Sequence, residues 1–205
     1  MANHVDSHLY FHRISEEGKK RFGELVNRFD TFKEGYECHL AHMWYDDLED
    51  AYSSDAFSMH DLVGAKWAYA TDWDDDYISM YSAWSGCAPF VDYMVSEVAK
   101  VDPDVIAVYH YSDEMPNFTG TIVYNHEGAD DAAELDYDDI RDMMMSDNEE
   151  LKSHWDSEEE DFTDEGVDLF HELVWDWVSD WQSSQSNEMV TYLEGLEQVT
   201  ELEVV

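Results

Sequence analysis

Residues 64–128 constrain the fold of this 205-residue chain more than any other stretch. Four segments within it are rich in aromatic and β-branched side chains, the usual composition of strands: residues 66–71, 77–84, 105–111 and 118–124. The acidic run 72–76 separates the first two segments as a turn would, and a loop containing Pro116 separates the last two. Between the two pairs, Pro89 opens a segment of helical spacing, since proline suits the first turn of a helix. Strands, one helix and more strands predict an α+β sandwich.

The N-terminal segment adds a strand and a helix to this core. Residues 3–14 alternate apolar and polar side chains and predict an edge-type strand. Ser15 followed by Glu16 and Glu17 is typical of a helix start, with a capping hydroxyl and acids in the first turn. Apolar residues then follow at helical spacing to about residue 32. Together these elements predict a ferredoxin-like antiparallel sheet with helices on one face.

The same core resembles that of a phage-encoded ferredoxin-like family, the Api-type proteins, whose function is undefined. The matching pieces are short and span about a third of the chain: Gly64-Ala65-Lys66-Trp67, Ser82-Ala83-Trp84, Tyr111 followed by the acidic pair Asp113-Glu114, and Phe118-x-Gly120. The chain departs from the pattern at Gly86-Cys87-Ala88, where proline is expected directly after the Ser-Ala-Trp run. The resemblance implies a fold and a phage setting, and hence the cytoplasm of a host cell. It implies no catalytic residues.

Composition agrees with a folded intracellular protein. Hydrophobic residues make up 44% of the chain and aromatic residues 15%, which is ample for a packed core. The sequence has no run of 18 apolar residues and no basic-then-apolar start, so we expect neither a membrane span nor a secretory signal. Two cysteines, Cys38 and Cys87, do not form a disulfide framework and favour a reducing cytosol.

The charge is extreme and unevenly distributed. Fifty acids face ten bases, for a formal net charge of −40. Residues 1–100 hold 19 acids and 8 bases, net −11, and residues 101–205 hold 31 acids and 2 bases, net −29. A field of this sign repels nucleic acid and anionic membranes and attracts basic protein surfaces. We therefore expect a basic protein partner, with no direct binding of nucleic acid or membrane.

The shift in composition after Gly128 predicts two domains. Residues 1–128 are expected to form the ferredoxin-like domain, with a helical insertion at about 36–60. Residues 129–205 are expected to form an acidic, mostly helical extension packed on it, beginning with a short helix and an acidic loop that ends at Asp161.

Residues 164–181 predict the best-defined helix of the chain. Six apolar side chains fall within an arc of about 100° at 100° per residue: Val167, Phe170, Val174, Trp177, Val178 and Trp181. The opposite side carries five acids spaced four apart, which we call the acidic ridge: Asp164, Asp168, Glu172, Asp176 and Asp180. Four like-charge pairs at this spacing cost about 1–2 kcal/mol, and no lysine relieves them. Stability alone does not explain the acidic ridge.

Two groups of cysteine and histidine residues are weaker candidates for metal binding or proton transfer. Cys38, His39 and His42 have metal-ligand spacing on a helix, but ordinary packing is the better explanation, because no second Cys-x-x-Cys or histidine-rich element supplies further ligands. His4, His8 and His12 recur every four residues, which indicates one polar strand face or a proton switch.

Two acidic groups can be compared with known chemistry. Asp72, Asp74 and Asp76 imitate the start of a calcium loop, but the glycine and final glutamate of that loop are missing. Asp113 and Glu114 have the residue types of a catalytic pair, which means little among fifty acids. No nucleophile elbow, phosphate loop or dinucleotide fingerprint occurs. We expect no enzyme activity, metal or cofactor.

Several aromatic residues lie beside acids outside the apolar stripes: Trp44, Tyr45, Trp155 and Trp175. They indicate either partial burial or a contact surface in which aromatic side chains anchor a partner. Exposed tryptophan and methionine also leave a homodimer open.

These patterns favour a phage protein that imitates nucleic acid. The acidic ridge, supported by Asp136, Asp138, Asp139 and Asp142, is predicted to occupy the nucleic-acid groove of a basic host protein and inhibit it. The expected targets are a restriction or CRISPR-type defence factor, a nuclease or the transcription machinery. Two alternatives remain: an acidic surface adapted to high salt, and an enzyme acting on a basic substrate.

Overall fold

The computed structural model of this chain describes residues 3–32, 38–48, 59–65, 67–159 and 161–203. The described strands are β1 (His4–Arg13), β2 (Cys38–His39), β3 (Ala68–Trp73), β4 (Tyr77–Ala83), β5 (Ile106–Asp113), β6 (Phe118–Asn125), β7 (Gly128–Asp136), β8 (Trp155–Asp156) and β9 (Asp161–Phe162). The first seven strands form one antiparallel sheet in the order β2-β3-β4-β1-β5-β6-β7, and β8 pairs with β9 alone.

The described helices are α1 (Glu16–Asp30), α2 (Met59–Val63), α3 (Ala88–Ala99), α4 (Tyr137–Asp147), α5 (Glu149–Ser153) and α6 (Asp164–Glu203). The α+β class is therefore confirmed, with a sheet larger than the sequence predicted. Both expected strand pairs are present, as β3 with β4 and β5 with β6, and α3 contains Pro89 in its first turn.

The main core lies on one face of the sheet, under α1 and α3. Ser15 caps α1 by accepting a hydrogen bond from the Gly18 N–H at 3.1 Å, as the sequence predicted. The buried side of α1 presents Phe22 and Phe29, and that of α3 presents Phe90 and neighbouring aliphatic residues. These side chains pack against apolar residues of the sheet: Leu9, Ile78, Met80, Ala107 and Tyr109.

Strand β1 lies at the centre of the sheet, and the prediction of an edge-type strand was wrong. It pairs with β4 on one side and β5 on the other. Val5 and Leu9 are fully buried beneath the helices, whereas His8 and Tyr10 point to the opposite, second face of the sheet. The polar half of the alternation therefore reflects this open second face and not an unpaired edge.

The two helices of the predicted ferredoxin-like set, α1 and α3, lie on one face of the sheet, and the C-terminal half of α6, part of the predicted extension, packs on the second face. Met189, Val190 and Leu193 of α6 form a separate small core with three strand residues that point away from the main core: Ile106, Val108 and Val123. The chain thus covers β5 and β6 from both sides.

Residues after Gly128 form a strand where the sequence predicted the start of a short helix. β7 pairs along β6 from Phe118↔Asp136 to Asn125↔Gly128, and α4 begins only at Tyr137. The sheet thus continues past residue 128. Most of β7 is exposed, and its acids make the sheet edge unattractive to another strand. The expected acidic loop contains α5 and the β8–β9 hairpin, with residue 160 outside the described ranges.

The expected helical insertion at about 36–60 is partly outside the described residues. At its first described residues the prediction of a helix was wrong, because Cys38 and His39 pair with β3 and residues 40–43 form a 3-10 turn. Leu40 and Met43 are buried in the main core, so the apolar pattern reflects burial of a compact turn.

Two glycines of the family-like motifs are required by close packing. Gly64 has a φ of +97°, a conformation that side chains rarely adopt. At Gly120, an added Cβ would come within 2.3 Å of Cζ of Tyr111, because the Tyr111 ring lies flat over the glycine. Gly120 thus allows the close contact between β5 and β6, and Gly64 allows the backbone turn shortly before β3.

Candidate partner-binding surface

The N-terminal half of α6 forms the helix that the sequence predicted, and its apolar arc is buried as expected. Phe170, Val174, Val178 and Trp181 are buried, and Val167 and Trp177 are partly buried. They pack against Ile140 and Met144 of α4 and Leu151 of α5. This contact fixes which side of α6 faces solvent.

The acidic ridge lies on the solvent side of α6. All five of its residues are exposed. Each step of four residues adds about 6 Å of rise and about 40° of rotation, so the ridge crosses the solvent face obliquely over about 24 Å. The exposed Glu165 lies within the same half of the helix surface. The row is therefore continuous along one side of one rigid element.

Within the described ranges, the carboxylates of the acidic ridge make no ion pair or hydrogen bond. The 40-residue helix α6 contains no lysine or arginine. Several basic residues elsewhere pair with acids of their own neighbourhood, as Arg21 does with Glu97. Lys19 with Asp76 at 3.3 Å is a second example. The charge of the acidic ridge is thus uncompensated within the described residues.

The four supporting acids have roles inside α4. Asp136 caps the helix, accepting the Asp139 N–H at 3.0 Å, and Asp139 returns the contact as a capping box. Asp138 and Asp142 each accept from the Arg141 guanidinium, at 2.6 and 2.7 Å. Their charge is therefore partly used within the helix.

The supporting acids do not extend the row of the acidic ridge. Ile140 and Met144 point from α4 into the core shared with α6. At 100° per residue, Asp138 and Asp142 lie about 120–160° around α4 from those two residues. The structure therefore brings the predicted site residues into two acidic surfaces on either side of a shared core.

Arg141 shows how this region holds a guanidinium. Its Cζ lies 4.7 Å from the centre of the Trp155 ring and 6.0 Å from that of Tyr137, while Asp138 and Asp142 accept its N–H groups. Aromatic faces and carboxylates thus act on one cation together. This arrangement was not anticipated from the sequence, because Trp155 lies 14 residues beyond Arg141.

A small apolar pocket, here called the notch, opens where the β5–β6 loop meets α4 and α6. Its volume is about 200 Å³. It is lined by Met115, Pro116, Asn117, Tyr137, Phe162, Val167, Phe170 and His171. The Tyr137 and Phe170 rings meet edge to face, 5.8 Å apart. Burial raises the pKa of Tyr137, and Asp161 and Asp138 raise it further while Arg141 lowers it, so these charges act at the notch.

A larger and more polar cleft of about 340 Å³ separates the second face of the sheet from α6. His8, His110 and Ser112 line one wall, and Trp175 and Gln182 line the other. Burial is the main cause that lowers the pKa of His110 to about 4, and His8 adds to it, so this imidazole is neutral at pH 7. The Nε2 atom of His110 is buried without a hydrogen-bond partner.

The candidate metal ligands make separate local contacts. Cys38 donates to the Phe29 carbonyl at 3.5 Å, and the His39 Nδ1 accepts from the Ala41 N–H at 3.1 Å. His42 stacks on Phe32, with ring centres 3.8 Å apart. Burial raises the pKa of Cys87 to about 12, which keeps it a thiol. Among the described residues no three His, Cys, Asp or Glu side chains are placed to hold a metal ion.

Asp113 and Glu114, the carboxylate pair at the end of β5, make local contacts that stabilise the fold. Asp113 is fully buried and accepts from the amides of Asn117 at 2.6 Å and Asn3 at 3.1 Å. Glu114 lies 3.5 Å from His4. The two side chains thus turn to different partners, and Asp113 holds the loop that forms one wall of the notch.

The aspartates of the β3–β4 turn are also engaged locally. Asp72 accepts from the Tyr77 hydroxyl at 2.8 Å, Asp74 accepts from the Asp75 N–H at 2.8 Å, and Asp76 pairs with Lys19. Each carboxylate thus stabilises the turn or its contact with α1.

The histidines of β1 lie on the second face, as their spacing predicted. His8 contacts the Ser79 hydroxyl at 2.9 Å, and His12 contacts Glu194 of α6 at 3.3 Å. They make a polar sheet face that meets α6 at one end.

Of the four aromatic residues singled out in the sequence, three are partly buried. Trp44 and Tyr45 pack against the main core, and Trp155 packs beside Phe162. Trp175 is 45% exposed, beside the acidic ridge. The sequence reading missed Trp67 and Trp84, whose exposed rings lie 5.2 Å apart. Both residues lie within the family-like motifs, and this membership was the sequence signal that could have identified them. Trp84 also has a φ of 67°, a backbone conformation that side chains rarely adopt.

No protein-family model, curated protein or solved structure matches this chain at a significant level. Within the described part of the chain, no helix combines the length and apolar character needed to cross a membrane. The geometry of the surfaces described above is therefore the basis for assigning a role.

Proposed function

We propose that this is a strongly acidic binding protein that imitates nucleic acid and inhibits a basic host protein by occupying its nucleic-acid groove. One observation carries the proposal: the acidic ridge is exposed and uncompensated within the described residues, on a helix without lysine or arginine. A face selected only for solubility mixes both signs of charge. A row of one sign costs stability, and binding to a cationic groove offsets that cost.

The dimensions of the row support imitation of a phosphate backbone. Duplex DNA presents one charge per ~3.4 Å along one strand. Ridge carboxylates recur every ~6 Å of rise, and the exposed Glu165 falls between two of them. The carboxylates are held in place by a folded helix. A protein that must bend or melt DNA to bind it would therefore bind this helix without the cost of that deformation.

The partner class follows from this chemistry. A lysine- and arginine-lined groove that binds DNA or RNA is the complementary surface. Under the phage setting, the partner is a defence nuclease, a CRISPR-type factor or a component of transcription in the host cytoplasm. Binding of nucleic acid by the protein itself is not part of the proposal. A homodimer through exposed tryptophan and methionine side chains stays a prediction.

The ferredoxin-like assignment is part of the same proposal. It is supported by the order β3-β4-β1-β5 within the sheet and by the connections β1–α1–β3 and β4–α3–β5. In this view β2 extends one edge, and β6 and β7 extend the other. Fold alone does not imply function, so the assignment adds nothing to the binding argument.

The test is affinity capture from host lysate across a salt series, with duplex DNA as competitor. The test variant is the triple change Asp168→Asn, Glu172→Gln, Asp176→Asn, which breaks every i,i+4 pair of the acidic ridge. The matched control changes three dispersed exposed acids: Glu17→Gln, Glu127→Gln and Glu188→Gln. We expect the native protein and the control to retain a nucleic-acid-binding protein that DNA displaces, and the test variant to lose it at lower salt. Recovery of no such protein at low salt, or equal behaviour of both variants, refutes the proposal.

An acidic surface adapted to high salt is the competing explanation. The exposed acids of β7 favour it, because they lie away from the acidic ridge. It predicts a chain that needs molar salt to fold, whereas imitation of nucleic acid makes no such demand.

A further inference from the structure

We propose that the cleft between the second face of the sheet and α6 receives the cationic head of a lysine or arginine side chain of the basic partner. The inference rests on the proposed function, because it places one contact of that partner beside the acidic ridge. The volume of the cleft, about 340 Å³, is that of roughly eleven molecules of liquid water. This is enough for one long side chain and too little for a folded segment.

The sheet side of the cleft contains a carboxylate that no described residue neutralises. Asp6 of β1 is exposed and lines the cleft. Within the described ranges, its carboxylate accepts no hydrogen bond and forms no ion pair. Of the described residues that line the cleft, none is lysine or arginine. An incoming cation thus meets a negative charge and has no internal cation to displace.

A buried amide oxygen lies next to this carboxylate. Asp6 stands directly opposite Ser112 in the register of β1 and β5, so their side chains are neighbours. Oγ of Ser112 lies 3.1 Å from the amide nitrogen of Gln182, a residue that is only 8% exposed. That nitrogen makes every hydrogen bond that the Gln182 side chain forms with described residues, and the Oε1 atom on the other branch of the amide accepts none of them. Oε1 is therefore turned away from β6 and is available to a donor in the cleft.

The aromatic wall of the cleft joins it to the acidic ridge. Trp175 of α6 is 45% exposed and lines the cleft. Glu172 of the acidic ridge lies three residues before it and Ser179 lies four residues after it, so these side chains are neighbours on one side of the helix. A cation on the indole face is attracted by the ring and by the Glu172 carboxylate. The acidic ridge thus adjoins an exposed aromatic contact at this point.

The imidazoles of the cleft do not oppose a cation. Burial is the main cause that lowers the pKa of His110 to about 4, so this ring carries no charge at pH 7. Nδ1 of His8 is engaged with the Ser79 hydroxyl at 2.9 Å. The described lining therefore offers a carboxylate, an amide oxygen and an aromatic face. These groups suit the N–H donors of an ammonium or guanidinium group and repel an anion.

The experiment titrates the protein with butylguanidinium and with butylurea, which has nearly the same shape but no charge. NMR at pH 8 follows the indole signal of Trp175 and the ring signals of His110. We expect butylguanidinium to shift these signals saturably, with a dissociation constant in the millimolar range of so small a ligand, and butylurea to leave them unchanged. Asp6→Asn and Trp175→Leu should each weaken binding about two- to fivefold, the range for exposed ion pairs and cation–aromatic contacts.

A lysine placed in the cleft tests its occupancy directly. Ser179→Lys supplies an internal ammonium group and should abolish binding of butylguanidinium. Ser184→Lys adds the same charge at an exposed position of α6 outside the described lining, and should retain binding. Trp84→Leu and Asp104→Asn, at exposed positions elsewhere, should also leave binding unchanged. Asp6, Trp175 and Ser179 are exposed, and circular dichroism checks that each variant folds.

Equal binding of butylurea, or equal loss of binding in the two lysine variants, overturns the inference, because neither charge nor the cleft then selects the probe. The same two variants are compared in capture from host lysate. Ser179→Lys should release the basic partner at lower salt than Ser184→Lys, and equal retention shows that the cleft does not contact the partner.

Failure of the cleft and failure of the proposed function give different results. If a nucleic-acid-binding partner is captured but butylguanidinium causes no saturable shift, the cleft inference fails and the proposed function survives. If butylguanidinium binds as expected but no such partner is captured, the proposed function fails and the cleft remains a site for a small organic cation.

Discussion

The side-chain amide nitrogen of Gln182 lies 3.0 Å from Oγ1 of Thr119, and this buried hydrogen bond joins α6 to β6. The same amide also lies within 3.1 Å of the carbonyl oxygens of Tyr111 and Gly120. It stands where the N-terminal half of α6, which carries the acidic ridge, passes into the half that covers the sheet. This polar residue therefore adds to the apolar contacts that hold the proposed binding helix on the sheet.

Substituting Gln182→Leu should lower the free energy of unfolding by about 1–3 kcal/mol, since the two N–H donors of the amide are lost from a buried site that contains Thr119 and two carbonyl oxygens. Urea denaturation measures the change. Ser184→Ala, at an exposed position on the same helix, should stay within about 0.5 kcal/mol of the native protein. Equal effects for the two variants would show that the amide does not hold α6 in place.

Substituting Gly120→Ala should destabilise the protein by about 1–3 kcal/mol, because the new methyl group meets the Tyr111 ring. Gly23→Ala is the matched comparison, since a Cβ there meets nothing within 4 Å and the position lies inside α1. It should stabilise by about 0.5–1 kcal/mol through helix propensity. Thermal or urea unfolding of both variants tests the pair, and a stabilising Gly120→Ala would contradict the ring placement.

The triple ridge variant should be more stable than the native protein by about 1–2 kcal/mol in low salt, because four repulsive pairs are removed. The gain should shrink in 1 M salt, where the Debye length falls to about 3 Å. Unfolding in urea at two salt concentrations measures both values. Together with weaker partner binding, this would show that the acidic ridge is retained at the expense of stability. A variant less stable than the native protein would point to an undetected structural role.

Lowering the pH from 6.5 towards 4 should reduce the free energy of unfolding of the native protein relative to that of a His110→Gln variant. The folded pKa of His110 is lowered from 6.5 to about 4, so between these values only the unfolded chain takes up the proton. The difference in unfolding free energy between native and variant should fall by up to about 1.4 kcal/mol per pH unit in this window. Above pH 6.5 the difference should be constant.

The native protein must be compared with the variant because lowering the pH also protonates carboxylates. On a chain of net charge −40 this relieves repulsion and raises the free energy of unfolding of both proteins. The groups near His110 include His8 across the strand pair, Tyr10, whose ring centre lies 5.5 Å away, and Asp6, which lines the same cleft. A pH-independent difference between the two proteins would mean that His110 titrates normally in the folded state.

The protein should remain folded in dilute buffer, with a cooperative thermal transition that molar salt shifts only by relief of repulsion. The main core under α1 and α3 is apolar, and its burial stabilises the fold in dilute buffer as well as in molar salt. Circular dichroism during heating, in dilute buffer and in molar salt, measures the transition. Loss of structure without molar salt would favour the salt-adapted alternative over imitation of nucleic acid.

Elements whose signal is local were predictable from the sequence. α1 has its capping serine, α3 its early proline, and β3 to β6 their aromatic and β-branched residues. The helical arc and acidic ridge of α6 also follow from spacing alone. In each case the periodicity that defines the element also defines which side is buried.

Elements that depend on distant partners were not predictable in this way. β7 contains mostly alanine and acidic residues, which are depleted in strands, and it is extended because it pairs with β6. The polar stretch around Gln182 and Ser186 has no apolar spacing, yet both residues are buried against the sheet. The notch is formed by Met115 and α6, which are about 50 residues apart in the chain, so only the folded structure brings them together.

The 40 residues of α6 form a single uninterrupted helix anchored at its far half to the sheet. The carboxylates of α6 are therefore held at a fixed spacing and cannot rearrange to fit a groove of a different shape. A partner with matching cation spacing meets a pre-ordered surface and loses little entropy on docking, whereas one with mismatched spacing gains only diffuse attraction. Under the proposed function, the stiffness of this helix, more than the amount of charge it carries, is what would distinguish one basic protein from another.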